Sequence, residues 1–328
     1  MKYFRCVVFI VVSVLFLFSC SKVQSKSQHS DLKEFKSSDI IRMIEKGKSV
    51  TIVNAIIYDD LDFTAVDDGA VVSPTQIAVE ISQPIYFHNC VFMGKVAASG
   101  TYGSKGSKTT KKFMMKKFTH FRNDVCFYDC DFRKEVVFNE AIVDGNMNFS
   151  NTIFTDAASF NHILMSGTQC VFAKIQAKSS FQFIYSTIRG DVNFMDARFS
   201  DSFSASSLVA KDLILNNVQI DGSMNLSEML LSGIFMFNYG RCADDVSFAF
   251  STYMGRFSML ETTFDGNVTF ERSRFFGMVK MNHTSFAKKL ELKESVFYEK
   301  PEMEDVKRPE DAEPIVVELK QSEYIKPN

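Results

Sequence analysis

In the stretch VVFNEAIVDGNMNFSNTIFTDAASF, residues 136–160, the bulky positions Phe138, Val143, Phe149, Phe154 and Phe160 follow one another at steps of 5, 6, 5 and 6. The same 11-residue beat runs through most of the chain. One series of centres falls at 127, 138, 149, 160, 172, 183, 194, 205, 215, 226, 237, 248, 259, 270, 281 and 292, nearly all Phe, Leu or Met, with Ala205 the exception. A second falls at 132, 143, 154, 165, 177, 188, 199, 210, 220, 231, 242, 253, 264, 275, 286 and 297. One extra residue before Phe172 is balanced by one missing before Leu215, which restores the phase.

An apolar period of 11 also suits a right-handed supercoil of α-helices, at about 3.67 residues per turn. The neighbouring positions argue against it. Two residues before the first-series centres lie further apolar side chains, among them Val136, Met147, Val192, Leu213, Phe235 and Val268. Positions i and i−2 share a face on a strand but lie nearly opposite on a helix. Two residues after the second-series centres stand Gly145, Gly167, Gly190, Gly222, Gly233, Gly255, Gly266 and Gly277, with Asp156, Asp201, Asp212 and Asp244 at half of the others. A helix tolerates that phase poorly, whereas a recurrent turn favours it. The unit is therefore a short strand, a corner, a second short side and a turn. Such units bury their apolar faces only by stacking as a solenoid.

These residues resemble the pentapeptide-repeat family, in a variant with an added residue in alternate repeats. Two positions before the second-series centres stand Cys130, Ala141, Thr152, Ser186, Ala197, Gly240, Ser251, Thr262, Ser273, Thr284 and Ser295, matching the small residue that the family places inside each coil. The resemblance covers residues 121–297 and implies an all-β fold: a right-handed quadrilateral parallel β-helix with two 11-residue units per coil. Its interior would hold ladders of stacked Phe, Leu and Met, consistent with 34 Phe and no Trp.

The beat also appears at Ile52, Ile57 and Phe63 and at Phe87 and Phe92, which places the solenoid within residues 37–300, with insertions at 64–82 and 97–118. Ahead of it, SSDIIRMIEKGK predicts a short capping helix started by Ser37 or Ser38 and ended by Gly47, with Ile40, Ile41 and Ile44 over the first coil. Beyond Phe297 the beat stops; residues 301–328 read as a charged, proline-rich tail, in which IVVEL could add one edge strand.

The N-terminus carries an address. Lys2 and Arg5 precede the uncharged run Cys6–Phe18, too short to span a bilayer comfortably, and LFSC at 17–20 resembles a bacterial lipobox. That resemblance implies a signal peptide over 1–19, acylation of Cys20, a flexible tether over 20–36 and a lipid-anchored envelope protein; Ser21 and the lack of acidic residues just after Cys20 point to the outer membrane, facing the periplasm. Acyl chains would hold it, each buried methylene adding about 0.8 kcal/mol.

A net charge of −2 predicts no nucleic-acid surface. It also keeps the family's DNA mimicry, which needs an acidic rod, from carrying over. Five cysteines remain beyond the signal region, Cys90, Cys126, Cys130, Cys170 and Cys242, and no second Cys or His pair joins Cys126 and Cys130 into a metal site. No cofactor is expected. Glu261 and His283, 22 apart, should stack on neighbouring coils, as should Arg272 and Glu294, but the spacing places no nucleophile beside them. Tyr185, Tyr239 and Phe250 fall at outward phases and could form a patch. The most suggestive polar feature is the basic insertion, whose Lys105, Lys108, Lys111, Lys112, Lys116 and Lys117 suit an anionic surface. The expectation is a non-catalytic interaction module whose partner is an envelope protein, an anionic lipid or a glycan. The alternative is a β-helical enzyme or binder acting on a glycan or lipid, for which the outward Glu140, Glu228 and Glu261 lie on separate coils.

Overall fold

A computed structural model describes residues 32–67, 69–103, 114–310 and 318–319. The expected signal peptide, Cys20 and most of the tether lie outside these residues. The described chain is a parallel β-solenoid of about 11 turns with one short helix. At about 4.8 Å per turn, the stack is roughly 50 Å long.

Each coil has four sides, and one inward residue per side forms a column along the axis. On face one, Val50, Ile85, Val125, Met147, Cys170 and Val192 are in register from coil to coil. On face two the column is Ile57, Phe92, Phe132, Phe154 and Ala177; on face three it is Leu61, Val96, Val136, Ala158 and Phe181. Face four stacks Ile81, Phe121, Val143, Met165 and Ile188. First-series centres fill the middle of the coil. Phe87, Phe127, Phe149, Phe172 and Phe194 form one continuous stack with centroids 5.0–5.2 Å apart and planes within 10–16°. Each such side chain contributes roughly 1.5–3 kcal/mol by leaving water.

The interior small position has a polar task. Thr152, Ser186, Ser251, Ser273 and Ser295 are buried. Their hydroxyls donate to carbonyls one coil back, on Phe127 at 2.8 Å, Phe160 at 3.0 Å, Leu226 at 3.0 Å, Phe248 at 2.8 Å and Phe270 at 2.6 Å. Thr262 and Thr284 do the same for Phe237 and Met259. The hydroxyls thus supply donors to buried carbonyls, of which that of Phe270 also accepts from the Ser273 amide at 2.9 Å. Cys90 and Cys130 occupy the same position and point their thiols at Ile52 and Phe87, at 3.5 and 3.7 Å.

The two kinds of corner differ from the turn expected at glycine. Positive φ recurs two residues after the first-series centres, at Glu140 (60°), Asn151 (58°), His162 (57°), Tyr185 (55°), Tyr239 (59°) and their equivalents. Among described glycines only Gly47 has positive φ. Gly145, Gly167, Gly190 and Gly255 are instead demanded by closeness: a Cβ on Gly167 would lie 1.9 Å from the carbonyl oxygen of Gly145, and one on Gly190 would lie 2.0 Å from that of Thr168. The extra and missing residues both fall at the corner between faces four and one. Met147 pairs with Cys170, 23 residues on, and Val192 with Leu213, 21 on, so one widened corner and one shortened corner lie two coils apart with an ordinary corner between them.

The N-terminal cap is α1, Ser37–Glu45, with Ile40 and Ile44 buried. The residue ahead of it is Lys36, whose side chain makes no cap bond, so neither Ser37 nor Ser38 caps it; both lie inside the helix. An Asp39–Arg42 pair at 3.0 Å occupies its exposed side, and Gly47, at φ 68°, ends it. Strand β1 (Lys33–Phe35) pairs with the second half of β2 (Val50–Ile57), followed by β3 (Leu61–Asp62).

Residues 64–82 and 97–118 are built into the fold. β4 (Gly69–Ser73) and β5 (Gln76–Ile81) form an antiparallel hairpin, as do β8 (Ser99–Gly103) and β9 (Met114–Phe121), which follow β6 (Ile85–Phe92) and β7 (Val96–Ala97). β5 and β9 pair in parallel, so the hairpins join as one flap whose inner ends, Val79–Ile81 and Phe118–Phe121, serve as rungs of face four.

At the other end the chain continues past the point where the aromatic beat stops. Met303 and Val306 pack on the core, Asp305 repeats the positive-φ corner, and Glu302 and Lys307 bridge to Lys280 and Ser285. Residues 301–310 therefore extend the last coil rather than form a free tail. Their centre is Met303, 11 after Leu292, and a single Met among charges is too weak a signal to read as a repeat. Glu318–Leu319 adds a rung beside Val296–Phe297.

Candidate interaction surface

The corners and outward columns hold the polar and aromatic groups, and a number of the charges are paired along a column. Arg272 meets Glu294 at 2.6 Å, as their spacing predicts. Both groups are about half exposed, so solvent screens the pair. Glu261 and His283 do not meet. His283 turns the other way, with Nδ1 3.5 Å from Asp305, because residue 305 extends the corner column by one more coil.

The histidines are dispersed. His88 lies 3.3 Å from Asp129, His120 lies 3.1 Å from Asp144, and His162 stacks on Tyr185 at 5.2 Å. Among the described residues no three His, Cys, Asp or Glu side chains gather as a metal site. A tighter polar cluster joins Glu80, Arg122, Asp144 and His120 on face four, with Arg122 2.7 Å from Glu80 and 3.1 Å from Asp144. The Arg122 hydrogen bond holds the Glu80 carboxyl below its usual range. Burial pushes Asp144 up, but its bonds to His120 and Arg122 outweigh this and hold it low.

The thiols are not poised as nucleophiles. Burial pushes Cys126 up to about 11 and Cys242 up to about 12, and raises Cys130 and Cys170 as well. Cys90 alone is lowered, by a hydrogen bond with Cys130.

Of the six lysines in the basic insertion, Lys105, Lys108, Lys111 and Lys112 lie outside the described residues. Lys116 is engaged by Glu140 at 2.6 Å. Lys117 lies over the Tyr102 ring at 5.1 Å and donates to the Thr64 carbonyl at 3.4 Å. Tyr102 in turn bonds Asp62 and Thr64, which pins the hairpin to the third side of the coil.

The outward aromatics divide between two corners. Tyr185 and Phe250, 57% and 49% exposed, stand on the corner between faces three and four, and Tyr239 stands on the corner between faces one and two. The single patch expected of these three residues therefore does not form, because they belong to alternate 11-residue units. What sequence spacing alone did not reveal is a column on face four, where Leu164, Thr187, Val209 and Leu230 line a groove of about 390 Å³. Its signal was an apolar residue just before three of the four inward centres, at Leu164, Val209 and Leu230.

Residues 119–163 match the family description Pentapeptide repeats (9 copies). Over these residues the chain is similar to that family. The register carries the same coil onward from the matched residues to residue 310. No curated protein and no solved structure matches the chain.

Proposed function

We propose that the chain is a non-catalytic interaction module of the bacterial cell envelope, tethered through lipid on Cys20 and presenting the sides of its rod to an envelope partner. The observation that carries this reading is how the two halves of each coil divide their work. Inward positions are apolar ladders and satisfied hydroxyls, and outward polar groups pair with their own column neighbours instead of converging on a point. Catalysis needs a reacting group, a proton acceptor and a charge-stabilising donor brought together. A coil stack offers flat, rigid columns, which suit recognition, because little side-chain freedom is lost on binding. The lipid anchor follows from the LFSC resemblance at 17–20.

Cross-linking in native membranes tests this, with wild type compared to a chain carrying Gln at Lys105, Lys108, Lys111 and Lys112. Partners common to both assign recognition to the rod faces; partners lost with the lysines assign it to the hairpin. Absence of any cross-linked partner, together with turnover of envelope polysaccharide by purified residues 21–328, would overturn the proposal. Labelling with a palmitate analogue that fails to depend on Cys20 would remove the lipid tether.

A further inference from the structure

The outer end of the flap exposes apolar side chains on both of its sides. Along β4 no residue is buried, and Val71 and Val72 are 70% and 59% exposed, Val71 being the most open large apolar side chain among the described residues. Ala70 pairs with Ala78 and Val71 with Ile77, so these neighbours point to opposite faces of the hairpin, and neither face of β4 is packed on the rod. Val71, opposite Ile77, stands two strand steps, roughly 7 Å, beyond the buried rung at Val79. Residues 69–79 carry no charge. Beside them on β9, Lys116 and Lys117 are in register with Gln76 and Ile77, and the neighbouring Glu140 is held by Lys116. The flap thus ends in an uncharged apolar blade with bases beside it.

We infer that this blade, Ala70–Val72, seats in the headgroup region of a phospholipid bilayer. The inference rests on the lipid-tethered reading and deepens it by naming the element that sets how the rod stands on its membrane. Position is the first reason. β1 lies on the first coil, and β4 and β5 leave that same coil after β2 and β3. The eleven residues between Cys20 and Leu32 reach at most about 40 Å, so an acyl group on Cys20 would hold this end of the rod near the bilayer. The edge itself is the second reason. β4 pairs only with β5, but its register shifts between Val71 and Ser73, and a bulge followed by Pro74 blunts an edge against an added strand, whether from a peptide or a second copy. A flat protein surface would also cover one side of the blade, whereas lipid surrounds both and imposes no register. Depth is limited by the unpaired backbone groups of β4, which cannot enter hydrocarbon. At the headgroup boundary they keep water while the valines leave it, and the bases at 116 and 117 suit the phosphates.

The chain has no Trp, so one introduced indole reports its own surroundings. Val71→Trp and Val72→Trp, each in the full lipidated chain, are placed on vesicles of phosphatidylethanolamine and phosphatidylglycerol. Their emission should shift to shorter wavelength, and lipids brominated near the headgroup should quench it more than lipids brominated at the chain ends. Val209→Trp, four coil steps or about 19 Å further along face four than His120, should keep the emission it has in water. In the unlipidated chain, Val71→Ser/Val72→Ser should weaken co-sedimentation with phosphatidylglycerol vesicles about tenfold. Circular dichroism checks that each variant folds. Unshifted emission at 71 and 72, equal quenching at 209, or unchanged co-sedimentation of the double serine variant overturns the inference. So does a shift that appears without vesicles and follows dimer formation in sedimentation velocity. A lipidated chain held on vesicles with both indoles in water would sink the blade while leaving the tethered module intact; loss of the Cys20 label with the vesicle-dependent shifts retained would remove the tether and support the blade.

Discussion

Thr152→Val isolates the polar half of the interior. The two side chains have nearly the same shape, so the phenylalanine stacks on either side keep their contacts. What disappears is the donor to the Phe127 carbonyl, now 2.8 Å from the hydroxyl and fully buried with it. Leaving a buried acceptor unpaired costs about 1–3 kcal/mol, and the added methyl recovers part of that, for a net loss of about 1–2 kcal/mol. In a domain of this size that corresponds to a melting shift of about −2 to −3 °C. Unfolding of a coil stack need not be all-or-none. Hydrogen exchange read by mass spectrometry should therefore accompany the melt, and faster exchange should be confined to the coils holding Phe127, Thr152 and their immediate neighbours. Thr152→Ser, which keeps the hydroxyl, should lose stability without exposing the Phe127 amide environment. If Thr152→Val melts at or above wild type, the carbonyl needs no partner, and the case for a hydroxyl inside each coil fails.

Other consequences test separate parts of the fold. Tyr253 is fully buried with no partner for its hydroxyl, since the nearby Ser251 donates to Leu226 at 3.0 Å; Tyr253→Phe should stabilise by about 1 kcal/mol in thermal melts. Gly167→Ala forces a methyl against backbone 1.9 Å away and should cost about 3 kcal/mol or more by denaturant titration, whereas Tyr239→Gly, at φ 59°, should gain about 0.5–1 kcal/mol. Cys130→Ser keeps a donor to the Phe87 carbonyl and should be tolerated, while Cys170→Ser buries a hydroxyl among Met147 and Val192 and should lower the melting temperature. Glu80 and Asp144 titrate lower folded than unfolded, so their contribution is present above the unfolded carboxylate range and is lost as pH falls through the folded values; exchange around Arg122 should quicken on acidification, and Arg122→Gln should abolish that dependence.

The repeat itself was legible because every coil sees the same environment. A side chain that packs inward at residue 149 meets its counterpart at 172, so selection for packing writes a period that a single sequence displays. The 11-residue phase, the inward small position and the capping helix all follow from that local repetition. Features that depend on which coils become neighbours were not written there. The glycines were assigned to a tight turn, but only the stacked backbones reveal that Gly167 answers to the oxygen of Gly145 and that the left-handed corner belongs to Glu140, Tyr185 and their equivalents. The hairpins at 64–82 and 97–118 broke the period, so sequence alone read them as insertions, although β5 and β9 supply rungs of face four.

Function divides the same way. Sequence marked the lysines at 105–117 because a charge run stands out in one dimension. It could not mark Leu164, Val209 and Leu230, each lying 21–23 residues from the next member of its column, Thr187 included. Sequence by itself determined the coil, since that is a matter of residues and their repeating neighbours; only the tertiary structure decided the faces, because a face is made of residues that are adjacent in space at about 4.8 Å and distant in the chain.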